Sequence, residues 1–299
     1  MAVIDAAVPL SPGSLSSPRV SISDRLQAWT HGRGSLIAGL VIVSLLVIIG
    51  ILAPVIAPFD PTEIHARDGL QAPNSTYWLG TDNLGRDIFS RIVYAARTSL
   101  LVALGSVLVA GVIGVPLGLL TGFLGGALDS VIMRVLDAIL AFPVVLLAIL
   151  VVATLGTEPI NLVLTIGFVF VPYFTRLVRA QVLSLREREF VEASRASGGT
   201  DGHIMARVIL PNVTSPVVVQ ASLTMSLAVL IEAALSFLGL GVQEPTPAWG
   251  SMLQQSQLYM KQAPWYVLAP GICIFLAVLA FNLLGDGLRD LLDTGTRRR

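Results

Sequence analysis

The chain has 299 residues, of which 54% are hydrophobic and 13% are charged. This composition is typical of a protein embedded in a lipid bilayer and argues against a soluble globular domain. The formal net charge is zero, so nothing favours nucleic acid as a partner. The one cysteine, Cys273, lies in an apolar run, which excludes an intrachain disulfide framework and a cysteine-based metal cluster.

The first element is a polar tail, residues 1–34, which is rich in Ser and Pro and is predicted to be cytoplasmic and largely disordered. A cleaved signal peptide would place a short apolar region nearer the start of the chain. The long apolar run instead begins at Ser35. We therefore predict a retained first transmembrane helix over residues 35–59, followed by an extracytoplasmic loop over residues 60–98.

Five further apolar segments follow, each long enough or nearly so to cross a hydrocarbon core of ~30 Å as a helix. Their predicted bounds are residues 99–123, 131–155, 161–178, 213–240 and 266–284. The fold class is thus an all-α polytopic membrane protein with six transmembrane helices. The five spans form a core domain, residues 99–290, and a basic cytoplasmic tail, residues 291–299, ends the chain. Pro143 is predicted to kink the third span.

The arginines set the orientation, because cytoplasmic loops retain basic residues. With the amino terminus inside, most arginines fall on the cytoplasmic side. The basic residues on the outer side are then Arg67, Arg86, Arg91, Arg97 and Lys261. Both termini are therefore predicted to be cytoplasmic, as is the loop over residues 180–212.

This cytoplasmic loop has the pattern of two short helices. The first is amphipathic and ends at Gly198-Gly199, where glycine permits a positive φ. Thr200 or Asp201 can cap the second helix, which is predicted to run from Ile204 to Ile209. Pro211 is predicted to end that helix before the fifth span.

The same loop carries a motif that resembles the EAA loop of bacterial ATP-binding cassette (ABC) importers. The matching residues are Glu192, Ala193, Ser194, Gly198, Leu210 and Pro211. The resemblance implies the type I ABC importer permease fold and a loop that contacts one or two separate ATPase subunits. The alternative is an ordinary amphipathic helix that lies on the inner leaflet.

The segment Trp78 to Arg91 resembles the "GTDxLGRDxxSR" segment of the C-type permease subunit of the dipeptide and oligopeptide uptake family. Residues 232–241, 245–250 and 282–290 are similar to the same subunit. The resemblance implies peptide uptake across the bacterial inner membrane. It also implies a heterodimer with a homologous permease subunit, surrounding membrane lipid, and an extracytoplasmic peptide-binding protein. Nickel chelates and glutathione are alternative cargoes within the family.

Two roles are open for the charged residues of this outer segment. Asp82 and Asp87 alternate with Arg86 and Arg91, so local ion pairs could fold the loop. The same four residues could instead dock the binding protein or take part in gating. The sequence leaves both interpretations open.

Charged residues inside the predicted spans also have two interpretations. Glu232, within the fifth span, lines the translocation path or the subunit interface, or it hydrogen-bonds a neighbouring helix and fixes packing. Arg134 and Asp137 are spaced to form a pair on one helix. Gly114 and Gly118 form a GxxxG pair that predicts close helix packing. Trp249 is predicted to lie in a short interfacial helix.

The sequence contains no candidate for catalysis, for a cofactor or for a metal. It has no phosphate-binding GxxxxGK loop, so ATP hydrolysis is assigned to the partner subunits. The histidines His31, His65 and His203 are scattered without metal-binding spacing. A secondary transporter is the remote alternative, but such proteins are built from repeats with broken helices, and no repeat is seen.

Overall fold

A computed structural model describes the backbone of residues 22–296 and the side chains of residues 34–292. Across this range the regular structure is helical, apart from one isolated antiparallel bridge between Thr81 and Asp87. The α-helices are α1 Ile22–Ile51, α2 Ala53–Ile56, α3 Ile88–Leu124, α4 Gly126–Leu140, α5 Val144–Leu155, α6 Pro159–Leu185, α7 Glu189–Ala196, α8 Asp201–His203, α9 Leu210–Phe237, α10 Trp249–Ser256 and α11 Pro264–Thr296. The predicted all-α class is confirmed.

Within the described residues, five helical stretches are long and apolar enough to cross a bilayer. They are Gly34–Ile51, Ile88–Leu124, Pro159–Leu185, Asp201–Phe237 and Pro264–Leu292. A sixth crossing exists if α4 and α5 are counted together, and these two helices meet at 94°. The structure therefore agrees with the predicted set of spans, with the third one broken in two.

Several helices extend beyond their predicted bounds. Helix α1 begins at Ile22, within the predicted tail and before the predicted start of the first span at Ser35, while residues 1–21 lie outside the described residues. Helix α11 continues to Thr296, into the predicted tail. Helix α3 begins at Ile88, inside the predicted outer loop, because Asp87 caps it by accepting a hydrogen bond from the Ser90 amide. Charged residues in its first turns hide this start from an apolar pattern.

The break in the third span lies at Pro143, where a kink was predicted. Proline removes a backbone donor and disfavours helical geometry at the preceding residue. Pro143 has extended ψ, 130°, and stands as the N-cap of α5. The two helices on either side therefore form a sharp corner, which is a larger change of direction than the predicted kink.

Helices α3 and α6 pack closely at the centre of the fold through glycines of α3. A Cβ atom on Gly118 would lie 2.6 Å from both the Thr175 carbonyl oxygen and the Val178 Cβ. A Cβ atom on Gly114 would lie 2.6 Å from the Phe174 Cβ. The predicted close packing at this GxxxG pair is confirmed, because no side chain fits between the two helices.

Candidate functional site

The cytoplasmic loop is anchored by a small apolar cluster at its base. Val191 of α7 and the pair Ile204 and Ile209 are fully buried there. They pack in one cluster with Val178 and Val182 of α6. The loop is therefore held against the cytoplasmic end of α6 by buried side chains and does not hang free.

The face of the loop that carries the motif points outward. Glu192, Ala193, Gly198 and Pro211 are exposed, whereas Ser194 and Leu210 are partly buried. Phe190 beside them is 43% exposed, which leaves an apolar ring on the surface. A charged and apolar surface on a firmly packed base is a geometry suited to docking against another protein.

The turn of the loop follows the sequence prediction. Gly198 has φ +84°, and its amide donates to the Arg195 carbonyl at 3.0 Å. Thr200 caps α8 by accepting a hydrogen bond from the His203 amide at 3.4 Å. Gly199 also faces a close contact, because a Cβ atom there would lie 2.8 Å from the Ser194 carbonyl oxygen.

The second predicted helix differs from expectation. Helix α8 is one turn that runs directly into a π-helical turn, Ile204–Ile209, and then into α9. The Leu210 amide donates to the Met205 carbonyl, five residues earlier, as in a π-helix. Pro211, which lacks an amide hydrogen, lies in the first turn of α9. The prediction that Pro211 ends the helix is wrong, and the loop is continuous with the fifth span.

Two arginines of the loop region contact the cytoplasmic end of α3. Arg186 donates to the Gly122 carbonyl at 3.2 Å, at the cytoplasmic end of α3. The Arg195 guanidinium lies 5.8 Å from the centre of the Phe123 ring, within the range of a cation–π contact. The loop is thereby tied to α3 as well as to α6 and α9.

The outer segment forms the local ion pairs that were one of its two predicted roles. Arg86 Nε lies 2.6 Å from Asp82 Oδ2, and Arg91 Nε lies 3.7 Å from the same oxygen. Asp87 has a different task, since its carboxylate accepts hydrogen bonds from the Ser90 amide and hydroxyl. These four side chains are at most 3% exposed, which leaves them little surface for a partner.

Sequence reasoning missed Glu244, which completes this network from the loop before α10. Its carboxylate accepts hydrogen bonds from Arg86 at 3.0 Å, from Arg91 at 2.9 Å and from Gln255 at 2.7 Å. Burial alone would raise the pKa of Glu244, but the hydrogen bond from Arg86 and the other donors lower it to about 2. A signal was present, because Glu244 is the sole acidic residue between Glu232 and Asp286.

Glu232 is fully buried within this chain. One carboxylate oxygen accepts a hydrogen bond from the Ser236 hydroxyl at 2.8 Å. The Ser236 hydroxyl in turn accepts a hydrogen bond from the Val242 amide at 3.2 Å. Its second oxygen has no partner within ordinary hydrogen-bond geometry in the described part of the chain, although the Ser99 hydroxyl of α3 also interacts with this carboxyl group. The hydrogen bond from Ser236 lies within α9, whereas the packing interpretation predicted one between helices. The side chain is enclosed in this conformation, so the geometry favours packing over path lining or a subunit interface.

The structure corrects two predictions, the interfacial position of Trp249 and the ion-pair partner of Asp137. Trp249 begins α10, but its ring is fully buried, and its indole donates to the Ile92 carbonyl at 3.2 Å, so it is not interfacial. Asp137 pairs with Arg176 of α6 and not with Arg134 of its own helix. Hydropathy patterns describe one helix at a time and do not reveal a partner on another helix.

Two open grooves lie between the spans. One, of about 290 Å³, is lined by residues of α3 and α6, and the other, of about 480 Å³, by residues of α3, α6 and α9. The larger is lined by the apolar side chains of Val107, Leu108, Val112, Val115, Phe174, Val217 and Ala221, with Gly111 and Pro116. The larger groove lacks the polar lining that a peptide would require, whereas Arg97 and Thr98 contribute polar groups to the smaller one. No group of three or more residues suited to a metal ion occurs in the described part of the chain.

Two protein families match the sequence. Residues 114–298 match the family described as "binding-protein-dependent transport system inner membrane component". Residues 35–73 match the "N-terminal TM domain of oligopeptide transport permease C". Together the matches include the EAA-like motif of residues 192–211 and the predicted first span.

Curated relatives align along most of the chain. A dipeptide transport system permease protein from Alkalihalophilus pseudofirmus is 48% identical over 86% of this chain and 84% of its own length. A di/tripeptide transport system permease protein from Pseudomonas aeruginosa is 45% identical over 95% of both chains. A glutathione transport system permease protein from Pectobacterium atrosepticum is 46% identical over 86% of this chain and 85% of its own length.

Proposed function

This chain belongs to the family of inner membrane components of binding-protein-dependent transport systems, and from that premise we propose that it forms one half of a translocation path for short peptides. It is a multi-pass permease subunit of an ABC importer in the bacterial inner membrane. Relatives named for dipeptides, for di- and tripeptides and for glutathione support a short peptide as cargo. Glutathione itself is the alternative cargo.

The energy source in this proposal is ATP that partner subunits hydrolyse. The main support for this proposal is the loop over residues 180–212, whose base is buried and whose motif-bearing face is exposed. This loop continues without interruption into α9 through the π-helical turn. A displacement of Glu192 or Gly198 by a closing ATPase would therefore be transmitted to a membrane span, because α7 packs through Val191 on Ile204 and Ile209, which lie in the helical stretch that continues into α9.

The proposal includes a homologous permease subunit and an extracytoplasmic peptide-binding protein as partners. The apolar lining of the larger groove does not match the polar groups of a peptide, which supports a path to which a second subunit contributes. The arginine distribution supports cytoplasmic termini, with a core domain over residues 99–290 and an outer loop over residues 60–98.

The test is peptide-stimulated ATP hydrolysis and peptide import by the reconstituted assembly. E192K reverses a charge on the exposed motif face, and E158K reverses the exposed charge at the outer end of α6. We expect E192K to abolish stimulation while the subunits still copurify, and E158K to retain it. Full stimulation with E192K would refute coupling through this loop, and the absence of peptide import by the unmodified assembly would refute the cargo.

A further inference from the structure

We propose that the ion pair between Asp129 of α4 and Arg179 of α6 makes α4 move together with the ATPase-coupling loop. The inference rests on the proposed function, because it assumes that residues 180–212 are displaced by an ATPase. It adds two positioning residues that lie outside the coupling motif. It also gives a role to the half of the broken third span that lies nearest the cytoplasm.

Apolar packing does little to hold α4 in place. Of its fifteen residues, Leu136 alone is buried. Leu128, Val131 and Val135 are between 43% and 63% exposed. Helices in a bilayer are held together by close van der Waals packing and by polar contacts between them. Because α4 buries one side chain, its position on this chain depends on its polar contacts.

The strongest of these contacts is a two-point pair. Arg179 Nε and Nη2 donate to the two carboxylate oxygens of Asp129, each at 2.6 Å. Two parallel hydrogen bonds fix the orientation of both side chains as well as their separation. The side chains of Arg179 and Asp129 are 30% and 17% exposed, so water screens this pair less than it screens a surface pair.

A second pair lies two turns further along the same face of α4. Asp137 binds Arg176 through one hydrogen bond, and these side chains are 52% and 50% exposed. Exposed single-contact pairs contribute little to stability, so this pair is the weaker of the two. Asp129 meets the later arginine and Asp137 the earlier one, so α4 runs antiparallel to α6.

The backbone changes direction at both ends of α4. Gly125, which precedes it, and Gly126, its first residue, each have φ +65°. The corner at Pro143, after it, turns the chain by 94° into α5. Changes at a few residues at the ends of an element are how rigid segments rotate. A helix with a corner at each end and one buried side chain follows the element to which its polar side chains are bound.

Helix α6 supplies that hold and is part of the same packed body as the coupling loop. Val178 and Val182, on either side of Arg179, are buried with Val191 and Ile204 of the loop. Arg179 thus stands within the last two turns of α6, next to the cluster that anchors the loop. A displacement of the loop reaches Arg179 through buried contacts and reaches α4 through Asp129.

The first test measures peptide imported per ATP hydrolysed in the reconstituted complete assembly. D129N keeps the size of the side chain but removes its charge, and D137N makes the same change at the weaker pair. We expect D129N to lower the ratio roughly fivefold, the low end of coupling effects between sites, and D137N to leave it nearly unchanged. D129R and R179D should each lower the ratio, and the double variant D129R/R179D should recover it.

An unchanged ratio in D129N, with the unmodified assembly importing peptide, would overturn this inference and leave the proposed function standing. An unmodified assembly that imports no peptide would instead overturn the proposed function. Equal losses in D129N and D137N would also overturn the assignment to the two-point pair.

A second measurement follows the motion directly and does not depend on transport. Spin labels are attached to the cysteines of S130C in α4 and S197C after α7, two exposed positions, in a C273S chain within the complete assembly. We expect the distance between the labels to be the same with and without ATP in this chain. When D129N is added, we expect the distribution of distances to become broader. A distance that changes on ATP binding without D129N would overturn the proposal.

Discussion

Glu244 Oε1 accepts a hydrogen bond of 2.9 Å from Arg91 Nη2, across 153 positions of sequence. The Arg91 side chain is fully buried, and a buried guanidinium is costly unless its charge is paired. Arg86 binds the other oxygen of the same carboxylate. A single acidic residue therefore joins the first turn of α3 and the loop before it to the loop before α10, on the predicted outer side of the protein.

Replacing Glu244 with Gln should weaken this junction. The amide keeps the size of the side chain and one acceptor oxygen, but it no longer balances the two guanidinium charges. We expect E244Q to lower the free energy of unfolding by about 1–3 kcal/mol, less than for a fully buried pair because Glu244 is 39% exposed. Thermal unfolding of the purified chain measures this, with E63Q as the control at an exposed acid of the same outer region. Equal midpoints for E244Q and E63Q would contradict the role of Glu244.

The same carboxylate predicts how stability varies with pH. Its pKa in the folded chain is about 2, below the ordinary value of 4.5, so the folded state favours the charged form. The stabilisation is then fully present above about pH 5 and is lost as pH falls from 4.5 towards 2. We expect E244Q to remove part of the loss of thermal stability between pH 5 and pH 3. Parallel pH curves for E244Q and the unmodified chain would contradict this assignment.

Two glycines of α3 offer a matched test of helix packing. A Cβ atom on Gly118 would lie 2.6 Å from the Thr175 carbonyl oxygen, whereas one on Gly111 would meet no atom within 4 Å. G118A should force α3 and α6 apart and lower the free energy of unfolding by about 1–3 kcal/mol. G111A should be neutral or slightly stabilising, because alanine favours helix over glycine. Thermal unfolding compares the two, and similar midpoints would show that the contact can relax.

The sequence allowed the membrane spans and the turn at Gly198 to be predicted, because both follow from local rules. Hydropathy reports apolar residues along one helix, and glycine at a helix end reports a positive φ. The early start of α3 escaped because its first turns carry Arg91 and Arg97. Glu244 and Trp249 escaped for a different reason. Their roles depend on contacts with distant parts of the chain, Arg91 and the Ile92 carbonyl, which no local pattern encodes.

Substitutions at Glu232 separate packing from a role in transport. E232Q retains an oxygen that can accept the Ser236 hydroxyl, so we expect normal yield of the assembly and normal peptide import. E232A removes that acceptor and leaves a void, and we expect it to lower the free energy of unfolding by about 2 kcal/mol or more. Yield, thermal unfolding and import are measured together. Normal yield of the assembly with lost import in E232Q would contradict the packing role and would support a direct role of Glu232 in transport.

The turn of the coupling loop can be tested with two neighbouring glycines. Gly198 has φ +84°, a conformation that costs an L-residue about 1–2 kcal/mol, whereas Gly202 lies in α8 with open space around it. G198A should therefore distort the angle between α7 and α8 and reduce peptide-stimulated ATP hydrolysis. G202A adds the same methyl group in the same loop without strain and should retain stimulation.

Both glycine variants are compared after the ATPase subunits are shown to copurify in equal amount. If both lose stimulation alike, the added methyl groups obstruct the ATPase surface and the strained turn is not the cause. If both retain it, the angle of the turn does not matter for coupling. Loss in G198A alone is the expected result. The two helices of the loop can transmit a displacement only when they keep a fixed angle to the cluster of Val191, Ile204 and Ile209 on which they pack.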